Sequence, residues 1–127
     1  MKKSLIQEKA YAFALSIIGL YRLLLRKNED VLSKQLLKAG TSIGANVEEA
    51  LAGQSRPDFL SKMSIASKEA RESHYWLRLL KDSGIIEREH LEKPLADSRE
   101  IVCMLTSIVK TTAKTTTRKD SKPRTQN

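Results

Sequence analysis

The chain has few groups able to do chemistry: two histidines, His74 and His90, one cysteine, Cys103, and a carboxylate pair, Glu69 and Glu72. Glu69 and Glu72 are three residues apart, a spacing at which two helical carboxylates can share a metal ion. A dinuclear site in a helical bundle also needs two Glu-x-x-His motifs, and this chain has one, Glu87-x-x-His90. Neither C-x-x-C nor H-E-x-x-H occurs, so no zinc ligand set forms in sequence. Arg71 precedes His74 by three residues and Arg88 precedes His90 by two, which is too close for the Arg-to-His motif of small helical RNases. Gly40 and Gly44 sit within a helical pattern, with no strand before them, and so do not make a phosphate loop. His74 lies beside an apolar seam and reads as a satisfied boundary histidine. The expectation is a non-catalytic protein with no cofactor and no metal.

The remaining residues must then serve packing, assembly or binding. At 127 residues and 40% hydrophobic, the chain suits one domain with one core. It has three prolines and five glycines and no strand-like alternation, so the reading is all-α. A lone cysteine fits a reducing compartment and a cytoplasmic location. The N-terminus begins "MKKSLIQEKAYAFAL", but Gln7, Glu8, Lys9 and Arg22 interrupt its apolar run. It is an amphipathic helix rather than a leader, and no run reaches the roughly 18 apolar residues of a membrane span.

Four helices follow from periodicity. The first covers about Ser4 to Lys27, with Ile6, Ala10, Phe13, Ile17, Leu20 and Leu24 as its stripe, widened by Ala14, Ile18, Tyr21 and Leu25. The second covers Val31 to Gly53, with Asp30 as its expected cap and Gly53 as a left-handed stop. The third covers Pro57 to Asp82, capped by Ser55 and stopped at Gly84. The fourth covers Glu87 to Ala113, where Pro94 marks either a kink or the true start. Short connections make an antiparallel up-down-up-down four-helix bundle over residues 1–113. Residues 114–127 lose apolar periodicity and are expected to form a disordered basic tail.

The stretch "TSIGANVEEA" on the second helix carries unusual composition for a helix interior. With Ile43 centred on the core, Asn46 lies about 60° to one side and Gly40 about 60° to the other. Ser42, Asn46 and Glu49 then form a polar edge, expected to meet Arg71 or Arg78 of the third helix. The glycine edge invites close approach of another helix. The third helix has two apolar lines. Met63, Ala70 and Leu77, with Phe59, Ala66, Ser73 and Leu80, face the bundle. Ile65, Trp76 and Leu79 lie on a second side and are the expected subunit interface. Its complement on a neighbour is sought around Leu37 and Gly44.

Net charge is +8, and half of it falls in residues 114–127. Lys110, Lys114, Arg118, Lys119, Lys122 and Arg124 are the candidate nucleic-acid contacts. A solvated Lys/Arg surface with no polyanion partner has the same charge, so composition alone leaves both readings open.

Ser42-Ile43-x-x-Asn46-x-x-Glu49, then Asp58-Phe59, Lys68-Glu69-Ala70-Arg71-Glu72 and Tyr75-Trp76-Leu77-Arg78 resemble a bacterial family of small four-helix-bundle proteins. The family is named for the intervening sequences of large-subunit ribosomal RNA. The likeness covers most of residues 5–110. Many members have proline and glycine where this chain has Gly44 and Ala50, which marks a subgroup. The resemblance implies a four-helix protomer and a ring-shaped homopentamer. In architecture it is distantly similar to the accessory variability determinant of diversity-generating retroelements, which binds nucleic acid and a reverse transcriptase. Two functions are therefore expected as alternatives. One is an oligomer that binds RNA or DNA through summed charge. The other is a scaffold or accessory subunit for an enzyme encoded nearby.

Overall fold

The structure, a computed structural model, describes the backbone of residues 4–120 and the side chains of residues 4–115. These residues form four α-helices and a short 3-10 turn, with no strand among them. Helix α1 is Leu5–Arg26, α2 Val31–Ala52, α3 Arg56–Ser83 and α4 Glu92–Asp120; the turn is Arg88–His90. No described helix is long and apolar enough to cross a membrane. Each helix packs on the next along the chain, and α1 also packs on α4.

The stripe expected on α1 is the buried one: Ile6, Ala10, Phe13, Ile17, Leu20 and Leu24 are at most 5% exposed. The Ser4 hydroxyl caps the helix by accepting from the Gln7 N–H at 3.2 Å. At the other end Asn28 adopts a left-handed φ of 64°. The Glu29 N–H then donates to the Leu24 carbonyl at 2.9 Å and the Asn28 N–H to the Leu25 carbonyl at 3.0 Å. This is the Schellman arrangement, with asparagine in the position glycine usually holds.

That turn moves the next cap. Asp30 was expected to cap α2, but its backbone is already near-helical and its side chain makes no capping bond. The Glu29 carboxylate accepts from the Leu32 N–H instead, at 2.6 Å. Gly53 also departs from expectation, ending α2 in an extended conformation with φ −66° and ψ 159°. An added Cβ there would meet the end of the Asp58 side chain, which can swing aside.

Helix α3 starts and stops as read. The Ser55 hydroxyl accepts from the Asp58 N–H, Pro57 sits in the first turn, and Gly84 takes a left-handed φ of 71°. Both expected bundle-facing lines are inside: Met63, Ala66, Ala70, Ser73, Leu77 and Leu80 are buried, and Phe59 packs against the core. Pro94 is buried in the first turn of α4, where its missing N–H costs little, so it marks the start and not a kink.

The far end of α4 differs from the expected boundary. The helix continues past Ala113 to Asp120. No glycine or proline intervenes before Pro123. Thr112 is buried, and the Thr115 hydroxyl donates to the Thr111 carbonyl at 2.8 Å, so the threonines are accommodated within a helix. The expectation of no structure from residue 114 is thus corrected over 114–120. Residues 121–127 lie outside the described residues.

Candidate functional site

The polar edge of α2 is built differently from its expected form. Asn46 is half-buried and donates through Nδ2 to the Ser42 carbonyl at 2.9 Å, within its own helix. Glu49 is exposed and pairs with Lys62 Nζ at 3.0 Å. The hydrogen bond and charge of Glu49 hold the Lys62 ammonium above its ordinary pKa. Arg71 turns the other way and donates through Nη2 to Thr106 Oγ1 on α4 at 3.0 Å. Arg78 lies close to His74. The expected cluster joining Asn46 and Glu49 to an α3 arginine is therefore not formed. The cause is helical phase: Lys62 lies on the side of α3 toward α2, while Arg71 and Arg78 lie on the side toward α4.

The expected interface stripe on α3 is only partly open. Ile65 is 38% exposed, whereas Trp76 is half-buried and packs against the core. Leu79 is half-buried. The Trp76 indole N–H donates to Glu72 Oε2 at 3.1 Å, and Tyr75 meets the Trp76 ring edge-on at 5.4 Å. Leu37, sought as part of the complement, packs against the core, and Gly44 lines a groove.

That groove was not read from the sequence. It lies between α1 and α2, is lined chiefly by Tyr11, Leu15, Ile18, Thr41, Gly44 and Ala45, and encloses about 450 Å³. Tyr11 is 63% exposed and Leu15 55%. Gly44 leaves its floor low: a Cβ there would sit 3.7 Å from the Ala10 carbonyl oxygen. The signal was present, because Tyr11, Leu15 and Ile18 recur at four and three residues as a second apolar line on α1. Ile18 was instead assigned to the broadened core stripe.

Lys110 and Lys114 are exposed along α4. Arg118 and Lys119 fall in the last turns of the same helix. Lys122 and Arg124 lie outside the described residues.

His74 is the boundary histidine expected. Its Nδ1 lies 2.8 Å from Ser98 Oγ, and the Ser98 hydroxyl donates to the Leu95 carbonyl at 3.0 Å. Ser98 has therefore spent its proton, and His74 donates to it through Nδ1–H. Partial burial, then the charges of Arg99 and Arg78, lower the His74 pKa from its ordinary value. His90 meets Glu87 at 3.4 Å on the surface. Glu69 is half-buried, and desolvation, then the neighbouring Glu72, push its carboxyl up. The Cys103 thiol is exposed. No three His, Cys, Asp or Glu side chains converge as metal ligands among the described residues.

With the geometry in place, comparison with known proteins adds the following. Residues 2–107 match the model of the 23S rRNA-intervening sequence protein family. A crystal structure of a protein of unknown function from the S23 ribosomal protein family of Bacteroides thetaiotaomicron is similar, with 47% identity and a TM-score of 0.79. The match covers 84% of this chain and 99% of that one. No curated protein matches. A family model spanning most of the four helices identifies the chain as a member of the 23S rRNA-intervening sequence protein family.

Proposed function

We propose that the protein is a non-catalytic, cytoplasmic, oligomeric nucleic-acid-binding protein. The observation that carries this reading is its charge: +8 on 127 residues, with Lys110 and Lys114 exposed on α4. Cations arrayed on a rigid helix release counterions when they meet phosphates, which makes binding favourable and salt-sensitive.

The protomer in this reading is an antiparallel up-down-up-down bundle. The cross-helix pairs support it, since higher numbers on one helix meet lower numbers on the other. Gln7 bonds Glu48 and Glu49 bonds Lys62, and from Lys9–Glu100 to Lys27–Glu87 the numbering rises along α1 while it falls on the α4 side. Assembly would use the α1–α2 groove. In a cyclic ring each contact is head-to-tail, so the groove must receive a different surface of its neighbour. The outer side of α3, with Ile65, Leu79 and the exposed edge of Trp76, supplies a ridge of suitable character. A ring of five would carry about +40 and present its phosphate contacts together.

The apolar groove also favours a second reading, in which it receives a helix of an enzyme encoded nearby. Light scattering separates the two, because the first requires the isolated chain to self-associate. A gel-shift series with ribosomal RNA, unrelated RNA and DNA across salt tests binding. The proposal expects shifts that weaken as salt rises; a chain that shifts none of them at low salt contradicts it.

A further inference from the structure

The arginines are placed unlike the lysines. Ion pairs among the described residues use Lys9, Lys27, Lys62, Lys93 and His90, and none uses an arginine. Arg71, Arg78 and Arg99 stand exposed along the seam where α3 meets α4. Two bonds cross this seam, Arg71 to Thr106 and His74 to Ser98. Arg78 from α3 and Arg99 from α4 both come close enough to His74 to disfavour its protonation. Lys81 and Arg88 extend the line beside Leu95. Lys110 stands one turn beyond Thr106 on α4.

Carboxylates are turned away from the middle of this seam. Asp97 and Glu100 pair with Lys93 and Lys9, Glu72 accepts from Trp76, and Glu69 feels Lys38 of α2. Asp82 stands one turn beyond Arg78 on α3 and Glu92 lies beside Lys81 and Arg88, and neither is in an ion pair among the described residues. Guanidinium groups along one seam, none of them in an ion pair among the described residues, repel one another, and a polyanion relieves that repulsion. Their planar fork suits phosphate oxygens.

An aromatic ring accompanies them. Tyr75 is 48% exposed, four residues after Arg71 and three before Arg78, so it lies on the same side of α3. Its edge-on contact with Trp76, itself fastened to Glu72, fixes the ring's orientation. Interleaved cations and an oriented, half-exposed ring are what a single strand needs, since its bases are free to stack while its phosphates are held.

We infer that the α3–α4 seam is a track for single-stranded nucleic acid, with Arg71, Arg78 and Arg99 holding backbone phosphates and Tyr75 stacking on a base. This rests on the nucleic-acid reading above and moves its centre from the C-terminal cations to the body of the bundle. It also assigns Arg71 and Arg78 to binding, where sequence had assigned them to packing.

The test uses the full chain and two probes, labelled single-stranded oligouridylate and the same strand paired with oligoadenylate. Three variants are compared with wild type: Arg78→Gln with Arg99→Gln, Tyr75→Ala, and Lys114→Gln with Lys122→Gln as a control of equal charge loss. The arginine pair should weaken single-strand binding about tenfold or more and flatten the salt slope by about one to two. Tyr75→Ala should weaken single-strand binding about fivefold or more and leave duplex binding nearly unchanged. The lysine control should lose less than the arginine pair. Tyr75, Arg78, Arg99 and Lys114 are exposed, and unchanged circular dichroism and oligomeric size confirm that folding is intact. If wild type binds and the arginine pair loses no more than the lysine control, the track is overturned while nucleic-acid binding stands. Preference for the duplex overturns the single-strand assignment. If wild type binds neither probe, the nucleic-acid reading itself fails.

Discussion

His74 links stability to pH through one side chain. Burial and two flanking arginines lower its folded pKa below the ordinary 6.5. On acidification the unfolded chain takes up this proton before the folded chain does. Stability therefore rises with pH below about 6.5 and levels off above it. His74→Gln should flatten that rise, measured as the difference in melting temperature between wild type and variant from about pH 7 to pH 5. Glu69 contributes with the opposite sign, because its raised folded pKa loses stability as pH rises through it. Comparing the two proteins at each pH cancels that contribution. An unchanged pH profile in the variant would mean that His74 titrates as a free imidazole.

Glu49 makes a contrasting residue-scale case. The sequence suggested a buried partnership with an arginine, where losing one member strands the other. The pair with Lys62 is exposed, so Glu49→Gln should cost less than about 1 kcal/mol in a denaturant titration. A loss near 3 kcal/mol would restore the buried reading. The polar types and their helix were legible in the sequence. The partner was not, because Lys62 and Arg71 differ only in which side of α3 they occupy.

At the scale of elements, two glycines four residues apart on α2 should respond oppositely to alanine. A Cβ on Gly40 would come within 3.0 Å of the Ile17 side chain, in the tight contact between α1 and α2. Gly40→Ala should therefore destabilise by about 1–3 kcal/mol through overpacking. At Gly44 the nearest atom is 3.7 Å away, an ordinary contact, and alanine is the better helix former. Gly44→Ala should raise stability by up to about 1 kcal/mol. Chemical denaturation of both variants checks the pair; equal responses would mean that the α1–α2 spacing does not discriminate between them.

Helix positions were legible because apolar periodicity and caps such as Ser55 and Gly84 agree locally. What the sequence misplaced depends on backbone angles fixed by the connection. Asn28 turns left-handed and Glu29 then displaces Asp30 as the cap. The end of α4 was set too early because threonine-rich composition was weighed above the absence of any breaker before Pro123.

At the scale of the whole molecule, the α1–α2 groove groups the exposed apolar side chains Tyr11, Leu15 and Ile18. Soluble monomers seldom leave large apolar side chains grouped in one groove without use. If the proposed assembly uses this groove, Leu15→Glu places a charge on its lining and should make the chain smaller than wild type in light scattering, with helical content retained. Assembled Leu15→Glu protein would move the interface to another surface. The all-helical architecture and the family were legible from motif spacing on α2 and α3. The groove was not, because its exposure depends on how far α1 and α2 open outward above Gly44.

The most direct test of the account is the affinity of the full chain for single-stranded RNA, measured by fluorescence anisotropy at a series of salt concentrations. The account predicts measurable binding at low salt, with the logarithm of the association constant falling linearly with the logarithm of salt at a slope of about −0.7 per phosphate neutralised. Arginines on the seam and lysines on α4, repeated around an oligomer, should make several such contacts. A chain that fails to bind at low salt, or binds with no dependence on salt, would contradict the claim that its positive charge serves to hold nucleic acid.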